Sequence, residues 1–299
     1  MESIRSKQFK IILKLAGKKI FWRKSGEMLK EGIATRRLLN HEPPQKLRDN
    51  FSIKKVEMNG HYYYEMKPLK PENDLHIFYT HGGGYVHKIT RQHWKFLGRL
   101  ADKLRCTITI PLYPLAPEHT YQQTFDFVYA LYEQVVNKVE DPSNLVFMGD
   151  SAGGGLALAL AQLLHEKQAP QPGKIILISP WLDLHLSNPE VEAIEKYDPF
   201  LTRTGVIEAG KMYAGDADRS LYLLSPINGD VTGLGEISIF MGSHDILAPD
   251  ARKFVKKAKE QGKEIDYHEA QHMIHVYPIF NFPEARAALQ QIISKIHSS

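Results

Sequence analysis

The chain has 299 residues, of which 43% are hydrophobic, 10% aromatic and 24% charged. This composition can bury a large core and excludes a disordered or fibrous protein. No apolar run approaches the roughly 20 residues of a membrane-spanning helix, so we expect a soluble protein and not an integral membrane protein.

Positive charge is concentrated at the start of the chain. The formal net charge is +4, yet residues 1–50 hold 13 Lys and Arg against 5 Asp and Glu, and the remaining residues are net negative. Phe9, Ile12, Leu13, Ala16 and Ile20 follow helical spacing, which favours an amphipathic helix with a solvated basic face. No basic-aromatic motif accompanies them, so we expect no nucleic-acid partner. Weak contact of the basic N-terminus with a membrane surface stays open.

Two features indicate a cytoplasmic location. The apolar residues 11–13 are followed by Lys14, so this segment lacks the uninterrupted core and small-residue cleavage site of a signal peptide. Cys106 is the only cysteine and cannot form an internal disulfide. Its apolar surroundings predict a buried thiol without a catalytic role.

The predicted elements then alternate along the chain. Pro43 and Pro44 end the basic N-terminal helices, and residues 51–66 are expected to supply antiparallel strands at the edge of a sheet. From residue 75 onward, short apolar runs alternate with longer helical patterns, which is typical of an α/β chain with a mostly parallel central sheet flanked by helices. The strand candidates are residues 75–79, 107–110, 145–148, 175–178, 237–241 and 265–268. The helix candidates lie near residues 92–104, 121–139, 152–167, 250–262 and 283–297.

A glycine-rich loop follows the first of these strands. Residues 81–84 read His-Gly-Gly-Gly. Three glycines let the backbone approach a ligand closely, so that N–H groups can converge on a substrate oxygen. A phosphate-binding loop would use the same freedom, but neither G-x-x-x-x-G-K-[ST] nor G-x-G-x-x-G is present here. The loop is therefore interpreted as an oxyanion-binding element, with His81 bracing it.

The strongest chemical signal is Gly-Asp-Ser-Ala-Gly at residues 149–153, between a predicted strand and a predicted helix. A sharp strand-to-helix turn needs small neighbours around the serine and lifts its Oγ into a cleft. The N-terminus of the following helix would face any oxyanion formed there. This context favours Ser151 as a nucleophile over a plain glycine-rich turn.

A long connection separates the next two strands. More than fifty residues lie between Pro180 and Glu236, with Asn-Pro at 188–189 and Asp-Pro at 198–199. Connections of this length are usually functional. We expect residues 1–50 and the insertion 181–235 to form a helical cap over a core made of residues 51–180 and 236–299.

Four motifs together resemble the hormone-sensitive-lipase-like esterase family of the α/β-hydrolase fold. They are His-Gly-Gly-Gly at 81–84, Tyr-Pro-Leu-Ala-Pro-Glu-His at 113–119, Asp-Pro at 141–142 and Gly-Asp-Ser-Ala-Gly-Gly at 149–154. The resemblance runs from about Leu75 to the C-terminus. It implies hydrolysis of carboxylic esters with short or medium acyl chains and without a cofactor. Pro114 departs from the family, which commonly has Arg there, and predicts altered support beneath the site.

Chain order selects the partners of Ser151. In this fold the acid follows a later strand and the histidine follows the last strand. Asp245 follows the predicted strand at residues 237–241, where this fold has its acid, and the family's acid-x-Leu pattern agrees with it. The rival Asp250 follows Pro249, which suggests the first turn of a helix, where an acid simply favours the dipole.

Two histidines follow the last predicted strand. The Met-x-His pattern of the family places the catalytic base at His275 and leaves His272 as a loop side chain. Their spacing could also suggest a metal pair, but two histidines without a third ligand make a weak site, so no metal is expected.

The expected chemistry is acyl transfer from an ester to Ser151 and then to water. Gly83, Gly84 and Ala152 are expected to bind the oxyanion through backbone N–H groups. Candidates for the substrate pocket are Tyr85, Trp181, Phe200 and Tyr213, together with Trp22. The substrate would be a small-molecule ester, and the oligomeric state is left open. A peripheral membrane lipase for longer acyl chains and a non-catalytic ligand-binding protein on the same scaffold stay as alternatives.

Overall fold

Eight strands form one sheet in the computed structural model, which describes residues 2–70 and 73–297. The strands are β1 (Phe51–Met58), β2 (His61–Pro68), β3 (His76–Thr80), β4 (Thr107–Leu112), β5 (Leu145–Asp150), β6 (Lys174–Ile178), β7 (Glu236–Gly242) and β8 (Asp266–Ala270). Their spatial order is β1-β2-β4-β3-β5-β6-β7-β8. The pairs β1/β2 and β2/β4 are antiparallel, and every later pair is parallel. The predicted α/β class and the predicted antiparallel edge are confirmed.

Helices cover both faces of this sheet. They are α1 (Ile4–Leu15), α2 (Lys18–Trp22), α3 (Gly26–Arg37), α4 (Gln45–Arg48), α5 (Arg91–Leu104), α6 (Tyr121–Val136), α7 (Ala152–Glu166), α8 (Glu190–Glu195), α9 (Arg203–Ala214), α10 (Ala248–Glu260) and α11 (Pro283–His297). None of the described helices is both long enough and apolar enough to cross a bilayer.

The central strands are apolar on both sides because each side is covered. Along β3 and β5, Phe78 and Phe147 belong to the core beneath α6 and α7, whereas Ile77 and Met148 belong to the core beneath α5 and α11. Successive side chains of a strand point to opposite faces, so a sheet buried on both faces gives continuous apolar runs. This explains why those runs were readable in the sequence.

The helix boundaries differ slightly from the sequence patterns. The helix expected over 121–139 ends at Val136, and the helix expected over 250–262 begins at Ala248. Pro249 lies in the first turn of α10. Backbone N–H groups there have no acceptor within the helix, so the missing N–H of proline costs no hydrogen bond.

The N-terminal helices contact the long connection between β6 and β7. The Thr202 hydroxyl donates a hydrogen bond to the Trp22 carbonyl, and Gly205 lies against the same backbone with no room for a Cβ atom. Besides α8 and α9, the connection consists mainly of turns and short irregular segments. The two segments expected to form a cap therefore contact each other, while the domain boundaries stay a prediction.

Candidate active site

Ser151 is the single residue between β5 and α7. Its φ of 54° and ψ of −124° lie outside the regions that L-residues favour. Glycines make this turn possible, because a Cβ atom on Gly149 would collide with the Gly153 carbonyl, and one on Gly153 would collide with the Thr80 backbone. The tight turn leaves Ser151 9% exposed at the carboxyl end of β5.

A histidine and an aspartate join this serine in one hydrogen-bonded chain. Nε2 of His275 lies 2.9 Å from Oγ of Ser151, and its Nδ1 lies 2.8 Å from Oδ2 of Asp245. Asp245 follows β7 and His275 follows β8, so both come from carboxyl ends of parallel strands, as Ser151 does. The fold thus brings together the three side chains selected from the sequence.

The charges around this hydrogen-bonded chain favour a protonated His275 imidazole. His275 is 2% exposed, and burial by itself would lower its pKa. The Asp245 carboxylate outweighs burial through its charge and its hydrogen bond, with smaller help from Asp198 and Asp150, so the pKa of His275 is raised above its ordinary value. A carboxylate in this position stabilises the imidazolium that forms when serine loses its proton.

The rival carboxylate lies elsewhere. Asp250 is in the first turn of α10, and both of its oxygens are buried without a hydrogen bond to any described residue. Burial and the nearby Asp183 carboxylate raise the pKa of Asp250 to about 7. The geometry therefore favours Asp245 as the acid.

The rival histidine is a surface residue. The backbone N–H of His272 donates to the Ser243 hydroxyl at 2.7 Å, and its exposed ring lies 3.4 Å from His244. Within residues 2–70 and 73–297, no three His, Cys, Asp or Glu side chains are placed to hold a metal ion.

A second buried carboxylate, Asp198, lies beside the hydrogen-bonded chain of Ser151, His275 and Asp245. The sequence patterns did not identify it. Asp198 accepts hydrogen bonds from the backbone N–H groups of Phe200 and Leu201 at 2.7 and 3.0 Å. Its other oxygen accepts from the N–H of Ile246, next to Asp245. Burial and the Asp245 charge raise the pKa of Asp198 to about 6. The only sequence signal was an acid directly before an apolar Pro-Phe-Leu run.

Three backbone N–H groups, two in the glycine loop and one directly after Ser151, are available to a ligand. Gly83 and Gly84 have φ values of 133° and 64°, which favour glycine, and neither donates a backbone hydrogen bond within the described chain. Ala152 is the first residue of α7, where a helix leaves its N–H groups unpaired. These are the groups predicted to bind an oxyanion.

Asp150 ties the glycine loop to the strand that carries Ser151. Its Oδ1 accepts from the Gly82 N–H at 2.9 Å and from the Tyr79 hydroxyl at 2.6 Å. Its Oδ2 lies 3.2 Å from Nε2 of His93. Burial opposes ionisation, but His93 and these hydrogen bonds lower the pKa of Asp150 below its usual value. A charged carboxylate therefore holds the loop from beneath.

His81 has the bracing position expected for it. Its ring stacks on Tyr113 with centroids 4.6 Å apart, and its Nδ1 lies 2.8 Å from the Gly82 carbonyl. Burial and the neighbouring His93 lower the pKa of His81 to about 4, so the ring is neutral at pH 7 and Nδ1–H can donate to that carbonyl.

Arg37 of α3 supplies a guanidinium beside the motif that contains Pro114. Its Nε donates to the Val86 carbonyl at 2.8 Å, at the end of the glycine loop. Its other nitrogens bond the Ala116 carbonyl and the Glu118 carboxylate. Planar guanidinium groups suit such several-point contacts. Nothing in the sequence connected Arg37 with residues almost eighty positions away.

The predicted pocket aromatics separate into two groups. Phe200 is half-buried, and its ring centroid lies 5.6 Å from that of His275. Tyr85 stacks on Tyr213 at 3.7 Å and packs near Trp181, and all three are fully buried. A Cβ atom on Gly84 would lie 2.6 Å from the Trp22 ring. The Phe200 ring lies beside the His275 ring, and the backbone N–H of Trp181 donates to the Ser151 carbonyl at 2.9 Å. Contact of these aromatic side chains with substrate stays a prediction.

Comparisons with known proteins agree with this fold. A family model described as an alpha/beta hydrolase fold matches residues 77–279. An esterase of Acinetobacter venetianus is 30% identical over 243 residues, which are 80% of each chain. An acetyl-hydrolase of Streptomyces hygroscopicus is 28% identical over 77% of this chain and 78% of its own. A crystallised Staphylococcus aureus protein assigned as an esterase superposes with a TM-score of 0.86 at 28% identity, covering 92% of this chain and 94% of the other.

Proposed function

Because the chain belongs to the α/β-hydrolase fold family and is a carboxylic ester hydrolase, we propose that it is a serine carboxylesterase for short- to medium-chain esters. One observation carries this proposal: the unbroken path from Asp245 Oδ2 through the His275 ring to Ser151 Oγ. Serine alone is a weak nucleophile, and this arrangement supplies the base and the group that orients it.

The first step transfers the acyl group to the enzyme. Nε2 of His275 accepts the hydroxyl proton as Oγ of Ser151 bonds to the ester carbonyl carbon. The carbonyl electron pair becomes an oxyanion, which accepts hydrogen bonds from the N–H groups of Gly83, Gly84 and Ala152. When the oxyanion collapses, the C–O bond to the alcohol breaks and His275 gives its proton to the leaving alcohol.

The second step restores the enzyme. His275 takes a proton from water, and the resulting hydroxide attacks the acyl-enzyme carbonyl. The same N–H groups bind the second oxyanion, and Ser151 leaves with the proton returned by His275. Each such donor is worth roughly 3 kcal/mol in the transition state. Asp245 holds the imidazole orientation throughout.

The surroundings of Ser151 support a small acyl group. The residue is 9% exposed, with Phe200 beside the histidine. Two surface grooves, of about 930 and 530 Å³, are lined by residues other than Ser151, Asp245 and His275. The name of the S. hygroscopicus relative, an acetyl-hydrolase, agrees with a short acyl chain.

A chain-length series of p-nitrophenyl esters tests this proposal. The purified protein should hydrolyse acetate to octanoate esters faster than palmitate, and Ser151→Ala should be inactive on all of them. A preference for emulsified long-chain esters would instead favour a lipase. Labelling by a serine-directed fluorophosphonate adds a second readout, because only an activated serine reacts quickly. An unlabelled, inactive parent protein would favour the non-catalytic ligand-binding alternative.

A further inference from the structure

Exposed apolar side chains are concentrated in the basic N-terminal segment. Among the described residues, eight of the twelve exposed large hydrophobic side chains lie between positions 4 and 39. They are Ile4, Ile11, Ile12, Leu15, Ile20, Met28, Leu38 and Leu39. Single exposed hydrophobics are common, but a concentration of them marks an interaction surface.

Three of these side chains form a stripe along the outer face of α1. At about 100° per residue, Ile4, Ile11 and Leu15 lie within roughly 40° of one another and opposite the buried Leu13. They are 74%, 57% and 83% exposed. This outer face, which we call the α1 stripe, consists of Ile4, Ile11 and Leu15.

Cations flank the α1 stripe on both sides. The same helical spacing places Lys7 and Lys14 along one edge and Arg5 along the other, and all three are exposed. No Asp or Glu occurs between Glu2 and Glu27. The ion pair that α1 forms with a described acid joins Lys10 to Glu2, near the face that packs on the protein.

A groove beside α1 has the same mixed character. It has a volume of about 930 Å³ and runs between α1, α4, α5 and the segment after His275. Phe9 and Phe280 line it together with Arg91, Lys95 and Arg99. The helix α1 contributes Arg5, Phe9 and Ile12 to the lining, so the groove runs along the side of α1 next to the α1 stripe.

An anionic lipid bilayer matches both properties of this surface. Nucleic acid would satisfy the cations but leave the apolar stripe in water. A second copy of the chain would cover the stripe but bring a second set of like charges beside the first. Helices with an apolar face flanked by Lys and Arg bind in the interfacial plane of a membrane, and anionic lipids attract their cations.

We propose that α1 docks this protein on anionic lipid bilayers, with the α1 stripe inserted among the headgroups and the flanking cations facing the lipid phosphates. The segment that follows the docked helix reaches the candidate active site. Lys18, three residues after α1, holds its ammonium 5.8 Å from the Phe200 ring centroid, and Phe200 lies beside His275. If the proposed esterase function holds, the docked enzyme takes its esters from the membrane interface.

Vesicle sedimentation with matched variants tests the docking. The parent protein is mixed with phosphatidylcholine vesicles, with or without one-third phosphatidylglycerol. Each cation near an anionic surface contributes about fivefold to partitioning, so Arg5→Gln/Lys7→Gln/Lys14→Gln should weaken binding on the order of 100-fold. Ile4→Gln/Ile11→Gln/Leu15→Gln should abolish it, and high salt should weaken the parent's binding.

Two control variants carry the same kinds of change elsewhere. Lys103→Gln/Lys253→Gln/Lys256→Gln and Leu69→Gln/Leu221→Gln alter exposed side chains outside α1 and should sediment like the parent. Hydrolysis of a water-soluble acetate ester should be the same in all four variants, which shows that each is folded.

Several outcomes would overturn the docking proposal. These are equal binding to neutral and anionic vesicles, no binding at all, or full binding by the α1 stripe variant. Self-association of the parent that the stripe variant abolishes, without vesicle binding, would assign the surface to a second copy. Ser151→Ala should still sediment with anionic vesicles, so failure of the catalytic proposal and failure of docking are distinguishable.

Discussion

Nε2 of His275 lies 2.9 Å from Oγ of Ser151, although 124 residues separate the two in sequence. Each residue sits just beyond the carboxyl end of its strand, and the parallel sheet brings those ends to one edge. The contact is thus a consequence of topology, and the hydrogen-bonded pair should act as a unit.

Removing either member of this pair should stop turnover. Ser151→Ala and His275→Ala should each lower kcat by on the order of 10⁶, and the double variant should be no slower, because neither group works without the other. His272→Ala is the matched control and should keep parent activity, since its ring is exposed away from Ser151. Steady-state kinetics on p-nitrophenyl acetate measure all four. Inactivity confined to His272→Ala would reassign the base.

Removing the charge of Asp245 should leave the geometry but weaken the base. Asp245→Asn should lower kcat by on the order of 10⁴, because an amide no longer selects the required tautomer or stabilises the imidazolium. Asp250→Asn should be nearly as active as the parent, since Asp250 makes no hydrogen bond to His275. If Asp250→Asn lost activity and Asp245→Asn kept it, Asp250 would be the acid.

Asp198 should tune the pH dependence of the reaction. His275 accepts a proton only when neutral, so the rate rises as pH increases through its pKa. The Asp198 charge helps to raise that pKa, and Asp198→Asn should therefore move the acidic limb of kcat/KM to lower pH. The pH profile separates this effect from a general loss of activity. An unchanged midpoint would contradict the electrostatic role.

The sequence predicted the parts of the site that depend on chain order and local backbone. The strands were visible because both sheet faces are covered, and Ser151 was visible because its turn demands glycine at 149 and 153. Asp245 and His275 then followed from chain order after β7 and β8 together with the acid-x-Leu and Met-x-His patterns of the family that the chain resembles.

Long-range side-chain contacts could not be predicted in this way. Arg37 and Asp198 lie in helical and connecting segments whose local patterns carry no signal for the Val86 carbonyl or the Ile246 N–H that they bond. The pocket aromatics show the same limit, because composition does not distinguish Phe200 at the site from Tyr213 in the interior.

Arg37 should support the oxyanion loop from α3. Arg37→Met removes its bonds to Val86 and Ala116, and loosening the loop should lower kcat by about 10- to 100-fold with a smaller change in KM. Arg37→Lys should recover little of the lost kcat, because the ammonium group of lysine cannot make the several hydrogen bonds of a planar guanidinium group. Arg48→Met, at an exposed pair with Glu42, is the matched control. Equal kcat in Arg37→Met and the parent would remove this role.

Asp250 should make the folded protein less stable as pH rises. Its pKa is raised from about 3.8 to about 7, so between these values the native state holds a proton that the unfolded chain has released. The contribution to the free energy of unfolding is fully present below about pH 4 and is lost as pH approaches 7, by at most on the order of 4 kcal/mol. Asp250→Asn should flatten this slope, so its urea midpoint should exceed that of the parent by more at pH 8 than at pH 5. Parallel slopes in the two proteins would show that Asp250 is ionised in the native state throughout.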